Sequence, residues 1–125
     1  MLRSEHKILV IGYGNPGRQD DGLGPALAAA LAERKPSDVT VDADYQLTVE
    51  DAAAVAAHDV VIFADAAVSG PEPFEFREVS PGDEMSFSSH SLSPAGVLAL
   101  ARRCFDARTA GYALAIRGYA FDDFG

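Results

Sequence analysis

Three acidic positions and one imidazole stand where a chain of this kind can do chemistry. The segment GYGNPGRQDDGLGP, residues 12–25, places adjacent aspartates, Asp20 and Asp21, between an apolar run, KILVI, and a helix-forming stretch, PALAAALAER. Asp65 follows the apolar residues VVIFA, and His90 sits in the serine-rich stretch SSHSLSP. Carboxylates and an imidazole delivered by three separate segments make a ligand set suited to a borderline divalent metal such as zinc or nickel. Three protein ligands leave coordination positions open for water or substrate. No HxxxH or CxxC pair stands behind the set, so the metal reading depends on the three segments meeting in space.

A glycine-rich turn between a strand and a helix is more often a phosphate cradle, but this one lacks the features. GYGNPG is separated from the helix by RQDD, and no Lys-Ser or Lys-Thr follows the last glycine. Two carboxylates beside a helix N-terminus occupy the place an anionic ligand would take, and the helix dipole keeps them ionised. A cation fits this turn better than a nucleotide.

Each of these residues also has a plain structural use. Asp20 or Asp21 suits a helix N-cap, Asp65 suits a turn in DAAVSG, and His90 suits a solvated loop. His6 and His58 fall at a terminus and a helix end and read as structural. Cys104, beside Leu100 and Phe105, reads as a small core residue. Ser88, Ser89, Ser91 and Ser93 have a histidine nearby but no GxSxG elbow, so a serine nucleophile is disfavoured.

The elements that must position these groups alternate between strand and helix, which predicts a layered α/β fold. A strand is expected over residues 7–13 and a helix from Asp20 or Asp21 to about residue 34, with Leu23, Leu27 and Leu31 as its stripe. Pro25 falls in the first turn of that helix, where its missing N–H is harmless. A second strand over 38–43 precedes TVED, a capping-box signature that opens an Ala-rich helix to about residue 58. Strands over 59–66 and 74–79 are separated only by a turn, too short for a crossover helix, so the later one is expected to run antiparallel to the earlier. Residues 80–93 read as loop, Ser93-Pro94 starts a third helix, and residues 111–121 form a fifth strand. In such sheets functional groups gather beyond the strand ends, which is where Asn15, Asp21 and Asp65 fall.

Composition narrows the partners. With 19 acidic and 10 basic residues in 125, the formal charge is −9, a field that opposes nucleic-acid phosphates and anionic membranes. The adjacent Arg102 and Arg103 are the one local basic feature. No apolar run approaches the roughly 18 residues of a membrane span. A single cysteine and no signal-peptide pattern lead to the expectation of a cytoplasmic protein of one domain, residues 1–125.

Three blocks, ILVIGYGNPGRQDDGLGP, VVIFADAAVSG and SSHSLSPAGVLALA, together resemble the signature segments of the nickel–iron hydrogenase maturation endopeptidases, in that family's order and across nearly the whole chain. The resemblance implies a three-layer α/β/α fold of the phosphorylase/hydrolase-like kind, with a five-stranded mixed sheet and one antiparallel strand. It implies that Asp21, Asp65 and His90 form the metal and catalytic site, leaving Asp20 as the helix-capping neighbour. It also implies an endopeptidase that removes the C-terminal extension of the hydrogenase large-subunit precursor. Nickel would be the cofactor, carried in that substrate rather than permanently bound. DYQLTVED resembles one branch of the family, which puts Tyr45, Gln46 and Leu47, with Asn15, in the expected substrate groove. Members continue past the region of FDDFG into a final helix, so a C-terminal truncation that uncovers part of the sheet is a further expectation.

Two other readings remain open at this point. Peptidyl-tRNA hydrolases share a GxGNPG opening, with Asn15 as the common residue, but continue into a histidine-bearing segment where this chain has RQDDGLGP; the −9 charge also opposes tRNA. A non-catalytic protein that binds metal or precursor would need the same three ligands as the peptidase.

Overall fold

Strands that are apolar at every position need cover on both faces, and helices must supply it. The computed structural model describes residues 7–15, 17, 19–82 and 92–119. Its elements in chain order are β1 (Ile8–Tyr13), α1 (Leu23–Arg34), β2 (Val39–Asp44), α2 (Val49–Ala56), β3 (Val60–Ala67), β4 (Phe74–Val79), α3 (Pro94–Phe105) and β5 (Ala110–Arg117). A 3-10 turn, Gln19–Gly22, leads into α1. The sheet order is β2-β1-β3-β5-β4. Every pairing is parallel except that of β4 with β5. This is the five-stranded mixed sheet with one antiparallel strand that the sequence implied. β4 does run opposite to β3, as its short link demands, but β5 lies between the two.

α1 covers one face, over β1. A side chain at Gly12 would strike the Gly24 carbonyl and the Ala28 methyl group, and one at Gly24 would strike backbone atoms of Tyr13 and Ala64. Helix and strand backbones therefore touch, a distance only glycine permits. The expected stripe of α1 shifts accordingly: Gly24 and Ala28 are its buried residues, and Leu23, Leu27 and Leu31 flank them half-buried.

The other face is covered by α2 and α3. Leu9, Ile11, Val61 and Phe63 of the sheet pack with Leu47, Val55, Val97 and Leu98 into one core. Each such side chain contributes roughly 1.5–3 kcal/mol relative to remaining in water. Local signals fix the helix starts. Thr48 caps α2, and the Asp51 carboxylate accepts the Thr48 N–H at 2.8 Å, completing the capping box. Ser93 caps α3, its hydroxyl oxygen accepting the Gly96 N–H at 3.0 Å, which is its role in place of nucleophile.

Two sequence expectations fail here. Cys104 lies on the exposed side of α3, because Val97, Leu98 and Ala101 form the buried side and residue 104 falls off that stripe. Leu47 is fully buried in the core and does not line a groove. On the α1 face, the half of the sheet built by β5 and β4 is less covered: Phe74 and Phe76 are each 51% exposed, and Phe76 stacks on Tyr112 at 5.4 Å between ring centroids. Among the described residues no helix is long and apolar enough to cross a membrane.

Candidate functional site

The loop after β1 is built to present one aspartate. Gly14 has φ 141°, and a side chain there would strike the Asp21 carbonyl, so only glycine lets the loop fold back over the 3-10 turn. The Asn15 side-chain oxygen accepts the Gly17 N–H at 2.8 Å and tightens the bend. The Asn15 N–H in turn donates to Asp21 Oδ2 at 3.0 Å. Asn15 thus shapes the turn with its side chain and orients Asp21 with its backbone.

Asp20 does not cap the helix as expected. The N-cap of α1 is Gly22, with no side-chain cap, because the 3-10 turn intervenes between the aspartates and the first helical residue. The Asp20 carboxylate instead accepts the Tyr119 N–H at 2.7 Å, tying the end of β5 to the start of α1.

Asp65 arrives on β3. Parallel pairing of β1 and β3 places Gly12 opposite Ala64, so Tyr13 and Asp65 follow side by side at the upper end of the sheet. The Ala66 N–H donates to Asp65 Oδ1 at 2.8 Å, and Tyr13 stands beside this carboxylate on the neighbouring strand. Burial pushes the Asp65 carboxyl up to about 6; the charge of Asp21 adds to the rise, and the hydrogen bond from Ala66 and the neighbouring Tyr13 hydroxyl oppose it. Asp21 and Asp65, from different segments, are therefore brought together. His90 lies outside the described residues. Leu92, two positions on, donates its N–H to the Leu47 carbonyl at 3.1 Å.

Two like charges held near each other, each already oriented by a backbone N–H, are relieved by a cation placed between them. The two described carboxylates offer oxygen donors of the kind a divalent ion takes.

Beside this site, Gly14, Pro25, Ala43, Asp44 and Tyr45 line a cavity of about 280 Å³. Tyr45 is 69% exposed at its rim, and Gln46 is exposed next to it. Residue-by-residue reading missed two features. Tyr13 lies beside Asp65 on the neighbouring strand, and the signal was that both close adjoining apolar runs. Asp42, Asp44 and Asp51 place carboxylate oxygens within 4.8 Å of one another. Alternation in DAD with the capping acid of TVED carried that signal. Burial pushes the Asp44 carboxyl up to about 6, with the charges of Asp51 and Asp42 adding to it.

With this geometry in place, similarity to solved structures has a physical counterpart. The fold is that of the nickel–iron hydrogenase maturation proteases, the family that the three sequence blocks resemble. The maturation protease HycI from Thermococcus kodakarensis matches with a TM-score of 0.71 and 25% identity, over 98% of this chain and 81% of that one. The maturating endopeptidase HybD from Escherichia coli matches with a TM-score of 0.67 and 22% identity, over 94% of this chain and 77% of that one. A hydrogenase 2 maturation peptidase from a thaumarchaeon matches at 0.63 and 20%, over 93% and 82%. No family model matches the sequence, and no curated protein matches it.

Proposed function

We propose that this protein is an endopeptidase of hydrogenase maturation, which removes the C-terminal extension of a nickel-loaded large-subunit precursor. The observation that carries the reading is the pairing of Asp21, in the 3-10 turn that follows β1, with Asp65, near the end of β3, on the fold of the maturation proteases. Asp21, Asp65 and His90 would engage the nickel held by the substrate, which is cargo to be inspected and not a resident cofactor. The exposed Tyr45 and Gln46, at the 280 Å³ cavity, would contact the precursor near the bond to be cut.

Such a site favours a loaded precursor over an empty one, because a cation compensates two adjacent carboxylates and its absence leaves them repelling. One carboxylate of the pair would engage the ion while the other takes a proton from water that attacks the peptide carbonyl held beside it.

Incubation of nickel-loaded precursor with the wild-type chain and with His90→Ala tests the assignment. The expected result is a shortened large subunit with the wild type and at least about a hundredfold slower processing with the variant. Equal processing by both overturns the role of His90. Binding of precursor without any cleavage by the wild type overturns the peptidase reading and leaves a binding protein.

A further inference from the structure

We propose that β4 is a dimerisation edge: two copies of this chain join antiparallel through their β4 strands, centred on Phe76, into one continuous sheet. β5 separates this edge from the strand that carries Asp65, and the inference is independent of the reading of that site.

The edge is open, and register shows which of its backbone groups face outward. Among the described residues β4 pairs with β5 alone and closes one side of the sheet. The Arg117 N–H donates to the Pro73 carbonyl at 3.0 Å, one step beyond the pairing of Phe74 with Ile116. Bonds alternate along an antiparallel ladder, so Glu75 and Arg77 bond toward β5. The N–H and C=O groups of Phe74, Phe76 and Glu78 therefore point out of the sheet, as a template for another strand.

Side-chain chemistry chooses the occupant. Phe74, Phe76 and Glu78 share one face of β4, and Glu75 and Arg77 share the other. A two-fold axis at Phe76 sets Glu75 of each copy directly opposite Arg77 of the other, an attractive cross-strand pair formed twice. Centring on Glu75 or on Arg77 instead sets like charges against each other. A slip of one residue turns the aromatic face of one copy to the charged face of the other. The axis at Phe76 also lays that ring beside Phe76 of the second copy. Phe76 is 51% exposed and stacks on Tyr112 at 5.4 Å, so a strip of rings runs across the junction.

Charges on an edge strand ordinarily ward off pairing. The opposite edge shows that use: β2 carries Asp42 and Asp44 and no basic residue, so it repels a copy of itself. β4 differs, because its charges alternate in sign at the spacing that a two-fold axis needs. The antiparallel join points the upper ends of the two sheets in opposite directions, so both sites stay open.

Sedimentation equilibrium of the full chain, at up to about 100 μM, tests the proposal on the wild type, Glu75→Arg, Arg77→Glu and an equimolar mixture of the two variants. Both residues are exposed, and circular dichroism checks that each variant keeps its cooperative melting. The expected result is a wild-type dimer, at least about tenfold weaker self-association by each variant alone, and recovery in the mixture, where every Arg meets a Glu. Amide exchange at Phe74, Phe76 and Glu78 should slow about tenfold or more between dilute and concentrated wild-type protein. This second readout needs no variant and decides the matter if either one fails to fold. A monomeric wild type overturns the proposal, whether its Phe76 amide exchanges freely or is protected by another segment of the chain. So does a dimer that both variants keep, a mixture that associates no better than its components, or exchange at Phe76 that does not change with concentration.

Discussion

Replacing Asp65 by Asn is predicted to stabilise the protein while abolishing its function. The Asp65 carboxyl is raised from 3.8 to about 6, chiefly by burial and then by the charge of Asp21. Between those two values the unfolded chain has released the proton and the folded chain still holds it. Folding stability therefore falls as pH rises from about 4 to about 6, and the full penalty persists above that. At 1.36 kcal/mol per pH unit the displacement of about 2 units corresponds to at most ~3 kcal/mol. Part of the carboxyl meets solvent, so screening reduces the figure to about 1–2 kcal/mol. Asparagine removes the charge and keeps an oxygen able to accept from Ala66. Urea unfolding at pH 4 and pH 7.5 measures the effect: the two proteins should be alike at pH 4, and Asp65→Asn should gain about 1–2 kcal/mol at pH 7.5. Asp44 titrates in the same window but is common to both proteins, so the difference isolates Asp65. A variant less stable than the wild type at pH 7.5, or with an unchanged pH profile, refutes the reasoning.

Other outcomes follow from the same geometry. Gly24→Ala forces a methyl group into backbone atoms of Tyr13 and Ala64 and should cost about 1–3 kcal/mol or more by chemical denaturation, with the turn carrying Asp21 displaced. Asp51→Asn removes a charge that raises Asp44, so carboxyl NMR should show Asp44 titrating below 6, while burial, the larger cause, still holds it above the ordinary aspartate range. Asp20→Ala removes the acceptor of the Tyr119 N–H, and amide exchange at Tyr119 should quicken while α1 remains protected.

Much of the fold was legible because its signals are local. Uninterrupted apolar runs marked β1 and β3, the Phe74–Val79 alternation marked β4 to the residue, and Thr48 and Ser93 marked helix starts through capping chemistry. The strand order was not legible: inserting β5 between β3 and β4 depends on long-range pairing that no short window encodes. The same limit applied at the site. That Asp21 falls in the turn after β1 and Asp65 near the end of β3 could be read from the apolar runs before them. The contact of Asp20 with Tyr119, 99 residues on, and the placing of Tyr13 beside Asp65 required the tertiary register. Cys104 was misplaced because it adjoins Leu100 and Phe105 in sequence, whereas burial on α3 follows the helical stripe of Val97, Leu98 and Ala101.

The central claim is that Asp21, Asp65 and His90 grip one divalent ion. A crystal of the protein with Ni²⁺, recorded at the nickel absorption edge, measures this directly. The account predicts one anomalous peak at about 2.0–2.2 Å from a carboxylate oxygen of Asp21, one of Asp65 and a ring nitrogen of His90. A peak at the Asp42, Asp44 and Asp51 carboxylates, with none between Asp21 and Asp65, would contradict it.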